Sequence, residues 1–222
     1  GVRMKEWETR YEPEDEGVHE GFPLRPDEPY AASKAAQSML GIAYARSFDL
    51  PLVVFRCSNL YGPAPCHGPR HGWLTWFCIL AALEEPIRIQ GTGKQTRDML
   101  FTDDVTSAIL TAEKHIEALR GEVFNLGGGR EGLISVMEAA QLLESLLVLP
   151  AVHGVVSGDI PRIKVLRETG RRHEDMLFVT DSKKFKSVTG WRPQVAVPDG
   201  IHRVVQWALD HRDELRGIYG RQ

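Results

Sequence analysis

"PYAASKAAQSML", residues 29–40, is the stretch on which the reading of this chain turns. It sets Tyr30 and Lys34 four positions apart, directly after Pro29. Proline suits a first helical turn, because its missing N–H would be unpaired there anyway. The pattern from Pro29 to Phe48 is helical, and positions i and i+4 of a helix share one face. Tyr30 and Lys34 therefore point into the same space. An ammonium near a phenol favours the phenolate and draws its pKa down from about 10. Such a tyrosine can take a proton from a hydroxyl while hydride leaves the same carbon. The lysine can also reach the ribose hydroxyls of a nicotinamide cofactor. A Y-x-x-x-K spacing alone also occurs by chance on ordinary amphipathic helices. Here small residues, Ala31, Ala32 and Ser33, lie inside it, and an apolar strand follows the helix.

Working outward, residues 1–28 are acidic, carry Gly and Pro, and read as loop. Leu50–Asn59, "LPLVVFRCSN", is a short β-branched run, hence a buried strand. "WLTWFCILAALEE" is a strongly apolar helix and "PIRIQG" a short strand. "GTGKQTRDMLF" is a glycine turn leading into an extended segment. "TDDVTSAILTAEKH" is a helix, with Asp103 and Asp104 read as caps rather than catalytic acids. "GEVFNLGGG" is a strand ending in a glycine stop. Ser135–Leu147 is helical, with Ser135 as N-cap and Glu138 three residues on, a capping-box pattern. Residues 148–180 read as mostly irregular with short strands. A short helix follows, capped by Asp181 and closed by Gly190. "PDGIHRVVQWALDHRDEL" reads as one final helix. Strands alternating with helices define an α/β protein.

The 222 residues suffice for one large domain or two small ones, with a real core. A net charge of −3 gives no pull toward nucleic acid or anionic membrane. Cys57, Cys66 and Cys78 form no disulfide framework and no CxxC, so a reducing cytoplasm is expected. His67 and His71 are four apart, but Gly68, Pro69 and Gly72 make this a loop, and no metal is expected. No apolar run reaches the ~18 residues of a membrane span. The charged opening, "GVRMKEWETRYEPEDEG", is no signal peptide.

"PYAASKAAQSML…YARSFDLPLVVFRCSNLYGP" resembles the extended short-chain dehydrogenase/reductase family, the NAD-dependent epimerases and dehydratases of nucleotide sugars. "PIRIQGTGKQTRDMLFTDDV", "VFNLGGG", "RRHEDMLFVTD" and "TGWRPQVAVPDGI" continue the resemblance in family order, from residue 8 to the C-terminus. "HGWLTWF" and "GTGKQTRDML" most resemble the CDP-paratose/CDP-tyvelose 2-epimerase branch. The resemblance implies Tyr30 as acid/base, and Lys34 as its partner and ligand of the cofactor ribose. It puts Ser58 near the nicotinamide, and Asn59 on the sugar nucleotide or in a strand-capping turn. Arg97 matches the arginine that holds the diphosphate; the alternative is a surface neighbour of Asp98. An arginine fork suits phosphate oxygens through paired charged hydrogen bonds. Arg171, or Arg172 if the register slips, matches a second phosphate arginine. Gln90 and Trp73 would line the base pocket, although an aromatic at 73 could equally be core.

The implied fold is the C-terminal portion of an NAD(P)-binding Rossmann-like enzyme with its smaller substrate-binding domain. Residues 1–60 and 100–128 would belong to the Rossmann-like part, and 61–99 and 129–222 to the substrate domain. The N-terminal βαβ units that cradle NAD are expected to be absent, because no GxGxxG or GxxGxxG precedes Tyr30. The glycines at 127–129 lack phosphate-loop spacing. Three departures put the nucleotide and sugar in doubt: Glu174 where the family often has Asp, Met176 where the 2-epimerases carry arginine, and the loop "APCHGPRHGW". The implied chemistry is transient oxidation of a sugar hydroxyl followed by epimerisation. The alternatives are a related dehydratase or decarboxylase, or an inert sugar-nucleotide-binding module. A homodimer or pairing with a missing N-terminal half is expected, and the isolated chain is expected to be inactive and poorly stable.

Overall fold

A computed structural model describes residues 3–64, 68, 72–148, 164–170 and 175–219. In chain order, β1 (Met4–Glu6), β2 (Tyr11–Pro13), α1 (Pro29–Ser47), β3 (Val54–Cys57) and β4 (Asn59–Tyr61) come first. Next are α2 (Trp73–Leu83), β5 (Ile87–Gln90), β6 (Thr96–Phe101), α3 (Thr102–Lys114), α4 (Ile116–Leu119) and β7 (Val123–Leu126). A 3₁₀ turn (Gly129–Gly132), β8 (Leu133–Ser135), α5 (Val136–Val148), β9 (Val165–Glu168) and β10 (Leu177–Phe178) follow. Helices α6 (Lys183–Thr189), α7 (Val197–Asp210) and α8 (Arg212–Tyr219) close the described chain.

Local chemistry accounts for most of these boundaries. Pro29 sits in the first turn of α1 as expected. The capping box at α5 is reciprocal: Ser135 Oγ accepts the Glu138 N–H and Glu138 Oε2 accepts the Ser135 N–H, both at 3.0 Å. At α6, Asp181 Oδ1 accepts the Lys183 N–H at 2.8 Å. Gly190 stops that helix at φ 74, a left-handed conformation that favours glycine.

Four sequence expectations need correction. Residues 4–13 are an antiparallel hairpin rather than loop. Its turn and second strand are tied down by long-range bonds: Thr9 Oγ1 donates to Glu138 Oε1 at 2.9 Å, and the Tyr11 N–H to Thr96 Oγ1 at 3.0 Å. The run Leu50–Asn59 is not one buried strand. It breaks at Ser58, and the β3 side chains are at best half-buried. The final helix is two, because His211 leaves helical geometry at φ −108. Asp103 and Asp104 do not cap α3, which has no side-chain cap. Asp103 instead faces Arg203 at 3.5 Å on the surface. Asp104 is buried and accepts the N–H groups of Gln194 and Val195.

The break at Ser58 shares the chain between two sheets. Strand β3 pairs in parallel with β7, and α1 packs on β3. Strand β4 pairs in parallel with β6, which also takes β8 antiparallel and β10 parallel. One core cluster joins Tyr61, Leu74, Ile87, Met99, Leu143 and Ile201 across α2, α5, α7 and the β6 sheet. Helix α2 is apolar nearly all round because it is buried nearly all round. A second cluster joins Leu100, Leu119, Phe124, Leu126, Phe185 and Trp191. Each fully buried Leu, Ile or Phe contributes about 1.5–3 kcal/mol.

Candidate active site

Tyr30 and Lys34 lie on the first turns of α1, where the sequence pattern puts them. Tyr30 is 67% exposed. The Lys34 ammonium lies 5.8 Å from the Tyr30 ring centroid and donates to Gln37 Oε1 at 3.2 Å. The pair is thus assembled on one helix face, one turn apart, with both polar ends open to a ligand. Below it, Arg56 at the end of β3 ties the helix to the sheet by donating from Nε to Ser38 Oγ at 3.0 Å.

At the carboxyl ends of β3 and β7 there is a cleft of about 260 Å³. Ligands favour this position in parallel α/β sheets. The loop before α1 supplies His19, Phe22, Leu24 and Arg25 to its lining. Arg56, Cys57 and Ser58 come from the end of β3, Asn125 from β7, and Phe178 and Thr180 from β10 and beyond. The loop is held there by its own bonds. Val18 forms a parallel bridge with Thr180, Glu20 Oε1 accepts the Asn125 N–H at 2.7 Å, and Asn125 Nδ2 donates to the Val18 carbonyl at 3.0 Å. Desolvation at the cleft pushes the Cys57 thiol up, although the residue as a whole is exposed.

Ser58 lines the cleft. Its hydroxyl donates to the Asp98 carbonyl at 3.0 Å, which leaves its oxygen free to accept. Asn59 is half-buried in β4, opposite Met99. The Arg97 guanidinium donates to the Thr96 carbonyl at 2.8 Å and the Asp175 carbonyl at 2.6 Å, and Arg97 is paired in the ladder with Phe178 of the cleft wall. Gln90 ends β5, half-buried, its carbonyl accepting from Gln95 Nε2 at 2.8 Å. Trp73 starts α2 and packs edge-on against Phe77 beside the first core cluster. Arg171 and Arg172 lie outside the described residues, as do Glu174, Cys66, His67 and His71. The structure therefore links Ser58 and Arg97 through β6 and the cleft wall. Tyr30, Lys34, Asn59, Trp73, Gln90 and Arg97 are not among the cleft's lining residues.

Sequence reasoning named Asp98 only as a surface neighbour of Arg97; it is instead fully buried and linked to three parts of this region. The available signal was its place in "TRDMLF": a carboxylate followed directly by Met99, Leu100 and Phe101 belongs to a strand with no solvent face. Reasoning also missed the loop residues His19 and Arg25, which carry no motif. Among the described residues, no three His, Cys, Asp or Glu side chains stand close enough to hold a metal ion. No described helix is long and apolar enough to cross a membrane.

The family model of the NAD dependent epimerase/dehydratase family matches residues 8–127, more than half of the chain. The chain belongs to that family. It is similar to the CDP-paratose 2-epimerase of Salmonella typhi, 34% identical over 212 residues, which is 92% of this chain and 59% of the relative. A dTDP-glucose 4,6-dehydratase of Xanthomonas campestris pv. campestris is 32% identical over 201 residues, 90% of this chain and 54% of the relative. Among solved structures, the dTDP-glucose 4,6-dehydratase of Bacillus anthracis in complex with NAD superposes with a TM-score of 0.70 at 28% identity. That match covers 90% of this chain and 58% of that one. The chain thus spans between 54% and 59% of the length of these curated relatives.

Proposed function

We propose that the chain carries the tyrosine–lysine pair and the nucleotide-sugar pocket of an NAD-dependent epimerase or dehydratase. The observation that carries this reading is the exposed Tyr30–Lys34 pair on α1, one turn apart, beside a sheet whose carboxyl ends hold a cleft. Tyr30, acting as the phenolate, takes the proton of a sugar hydroxyl and becomes the neutral phenol, with the Lys34 ammonium one turn away on the same helix face. Arg97 pairs with diphosphate oxygens, exchanging backbone carbonyls for charge-assisted bonds. Arg171 would add a second cation, and Asn59, Gln90 and Trp73 would border the sugar nucleotide. Similarity to a CDP-paratose 2-epimerase supports a CDP-sugar as substrate. The two dehydratase relatives support a dTDP-sugar as the competing choice.

The donor set fits one end of NAD. Lys34 and Tyr30 would hold the ribose beside the nicotinamide, and Ser58 would face the ring. The bound dinucleotide supplies a hydride acceptor for the sugar carbon. The glycines at 127 and 128 do not offer a phosphate cradle, because their open sides are filled by Asp98, Thr180 and the Met99 carbonyl. The competing reading is a sugar-nucleotide-binding module without cofactor chemistry of its own. We assign residues 1–60 and 100–128 to the Rossmann-like part, 61–99 and 129–222 to the substrate part, and the protein to the cytoplasm. Met39, Leu40 and Tyr44 of α1 and Phe48 just past its end are left exposed. They support a partner surface for a second copy or for the remainder of such an enzyme.

Calorimetric titration of the purified chain with CDP, UDP, dTDP and NAD tests the reading, with Arg97→Ala as control. Nucleotide binding that weakens in the control supports the pocket, and NAD binding as well supports the full chemistry. Nucleotide binding without NAD binding supports the module. Binding of no nucleotide overturns both.

A further inference from the structure

Asp98 is 0% exposed, in the middle of β6. A buried carboxylate without a counter-charge is costly, and an apolar residue would build this strand more cheaply. Oδ2 accepts the N–H groups of Gly129 and Thr180, each at 3.2 Å. Oδ1 and Thr180 Oγ1 are buried without a partner at hydrogen-bond geometry, although the Thr180 hydroxyl lies near enough to pull the acid's pKa down. Burial outweighs these bonds and pushes the carboxyl up to about 7.

Charged groups on the surrounding elements turn elsewhere. Arg97 holds the Thr96 and Asp175 carbonyls, Arg130 the Asp15 carbonyl, and Asp181 the Lys183 N–H. Lys183 itself pairs with Glu16. Glu131 and Asp175 are exposed. Strands β4 and β8 bring no charged side chain. Among the described residues, no ion pair with Asp98 is found. Asp98 does have three connections to the candidate site. Its chain neighbour is Arg97, its carbonyl holds the Ser58 hydroxyl, and its carboxyl holds Thr180 of the cleft wall.

We propose that Asp98 is a positioning residue, whose side chain locks the Phe178–Thr180 wall and the Gly127–Gly129 turn to the strand that carries Arg97. Wall and arginine then meet a ligand as one body. The claim deepens the nucleotide-sugar reading and rests on it only for the identity of the ligand.

Hydrogen exchange on the ligand-free chain and nucleotide titration test the claim together. Asp98→Ala is expected to speed exchange about 10-fold or more in peptides covering 175–182 and 127–132, while α2 and α7 keep their protection. Asp98→Asn keeps an acceptor for both N–H groups and is expected to stay close to wild type. In titration with CDP, UDP and dTDP, Asp98→Ala is expected to weaken binding about 10-fold, and to combine with Arg97→Ala less than multiplicatively. Unchanged exchange over 175–182 overturns the proposal, and so do two substitutions whose effects simply multiply. A wild type that binds none of the three nucleotides overturns the pocket reading instead, and exchange alone then decides the role of Asp98. If Asp98→Ala unfolds globally, pH decides. Wild-type protection over 175–182 should change between pH 6 and 8 after correction for intrinsic rates, and Asp98→Asn should not. The same change in both overturns the proposal.

Discussion

Asp104 Oδ1 accepts the backbone N–H of Gln194 at 2.8 Å, so the first turn of α3 grips a loop 90 residues further along the chain. Oδ2 takes the next N–H, that of Val195, at 3.1 Å. Trp191 adds a third tie by donating from Nε1 to Ser107 Oγ at 2.9 Å. Asp104→Ala removes the acceptor of two part-buried N–H groups and is expected to cost about 1–3 kcal/mol in urea unfolding. Asp104→Asn keeps one acceptor and should cost less. Equal stability of Asp104→Ala and wild type would show that the loop finds other partners.

Tyr30 and Lys34 owe little to packing. Tyr30→Phe and Lys34→Met are each expected to shift unfolding free energy by less than about 0.5 kcal/mol. If the proposed function holds, Tyr30→Phe should cut nucleotide-sugar turnover about 100-fold or more, because a positioned acid/base typically contributes that much. A urea titration and a product assay read the two effects separately. Normal turnover without the phenol would remove Tyr30 from the chemistry.

Two glycines should respond in opposite directions to the same substitution. A Cβ at Gly128 would collide with the Met99 backbone carbonyl, which cannot move aside as a side chain can. Gly128→Ala should therefore lower the melting temperature strongly. Gly217 lies in α8 with nothing around its would-be Cβ. Gly217→Ala should stabilise by about 0.5–1 kcal/mol through lower entropy of the unfolded chain. Calorimetric scans of both variants decide the pair.

The sign of the pH dependence at Asp98 follows from its raised pKa. The carboxyl titrates near 3.8 in an unfolded chain and at about 7 in the fold. Between those values the folded state keeps a proton that the unfolded state has lost. Its contribution is therefore favourable at low pH, falls as pH rises from about 4 to 7, and is level beyond. Asp98→Asn removes that slope, on the order of 2–4 kcal/mol. Its melting temperature relative to wild type should rise between pH 4 and 7. Glu16 and Glu122 are held below the usual carboxylate range by bonds from Lys183 and Lys184, and act in the opposite sense at lower pH. Those pairs are at the surface and screened, so Asp98 should dominate near neutrality. A pH-independent difference between the two proteins would contradict the assignment.

The site residues that the sequence proposed are the ones written locally. The Tyr30–Lys34 spacing lies within a single helix turn, and Arg97 and Asn59 sit in contiguous motifs. The cleft was not legible. Its walls come from residues 18–25, 56–58, 125 and 178–180, and no pattern within any one of these segments says that they meet. Trp73 shows the same limit from the other side: a motif position packs at the edge of the core.

Nearest-neighbour chemistry alone determined that α1 starts at Pro29, that Ser135 and Glu138 cap α5, and that α6 stops at Gly190. The order of motifs determined the family. Each is a property of residues a few positions apart, or of their order, and needs no knowledge of what packs against what. Tertiary structure alone decided that the strand after α1 breaks at Ser58 to serve two sheets. It also decided that the hairpin at residues 4–13 is fastened to Glu138 and Thr96, and that Asp104 clamps a distant loop rather than capping its helix. The burial of Asp98 belongs with these. A carboxylate's cost and its partners depend on which backbone N–H groups are brought to it, and here those come from residues 31 and 82 positions away.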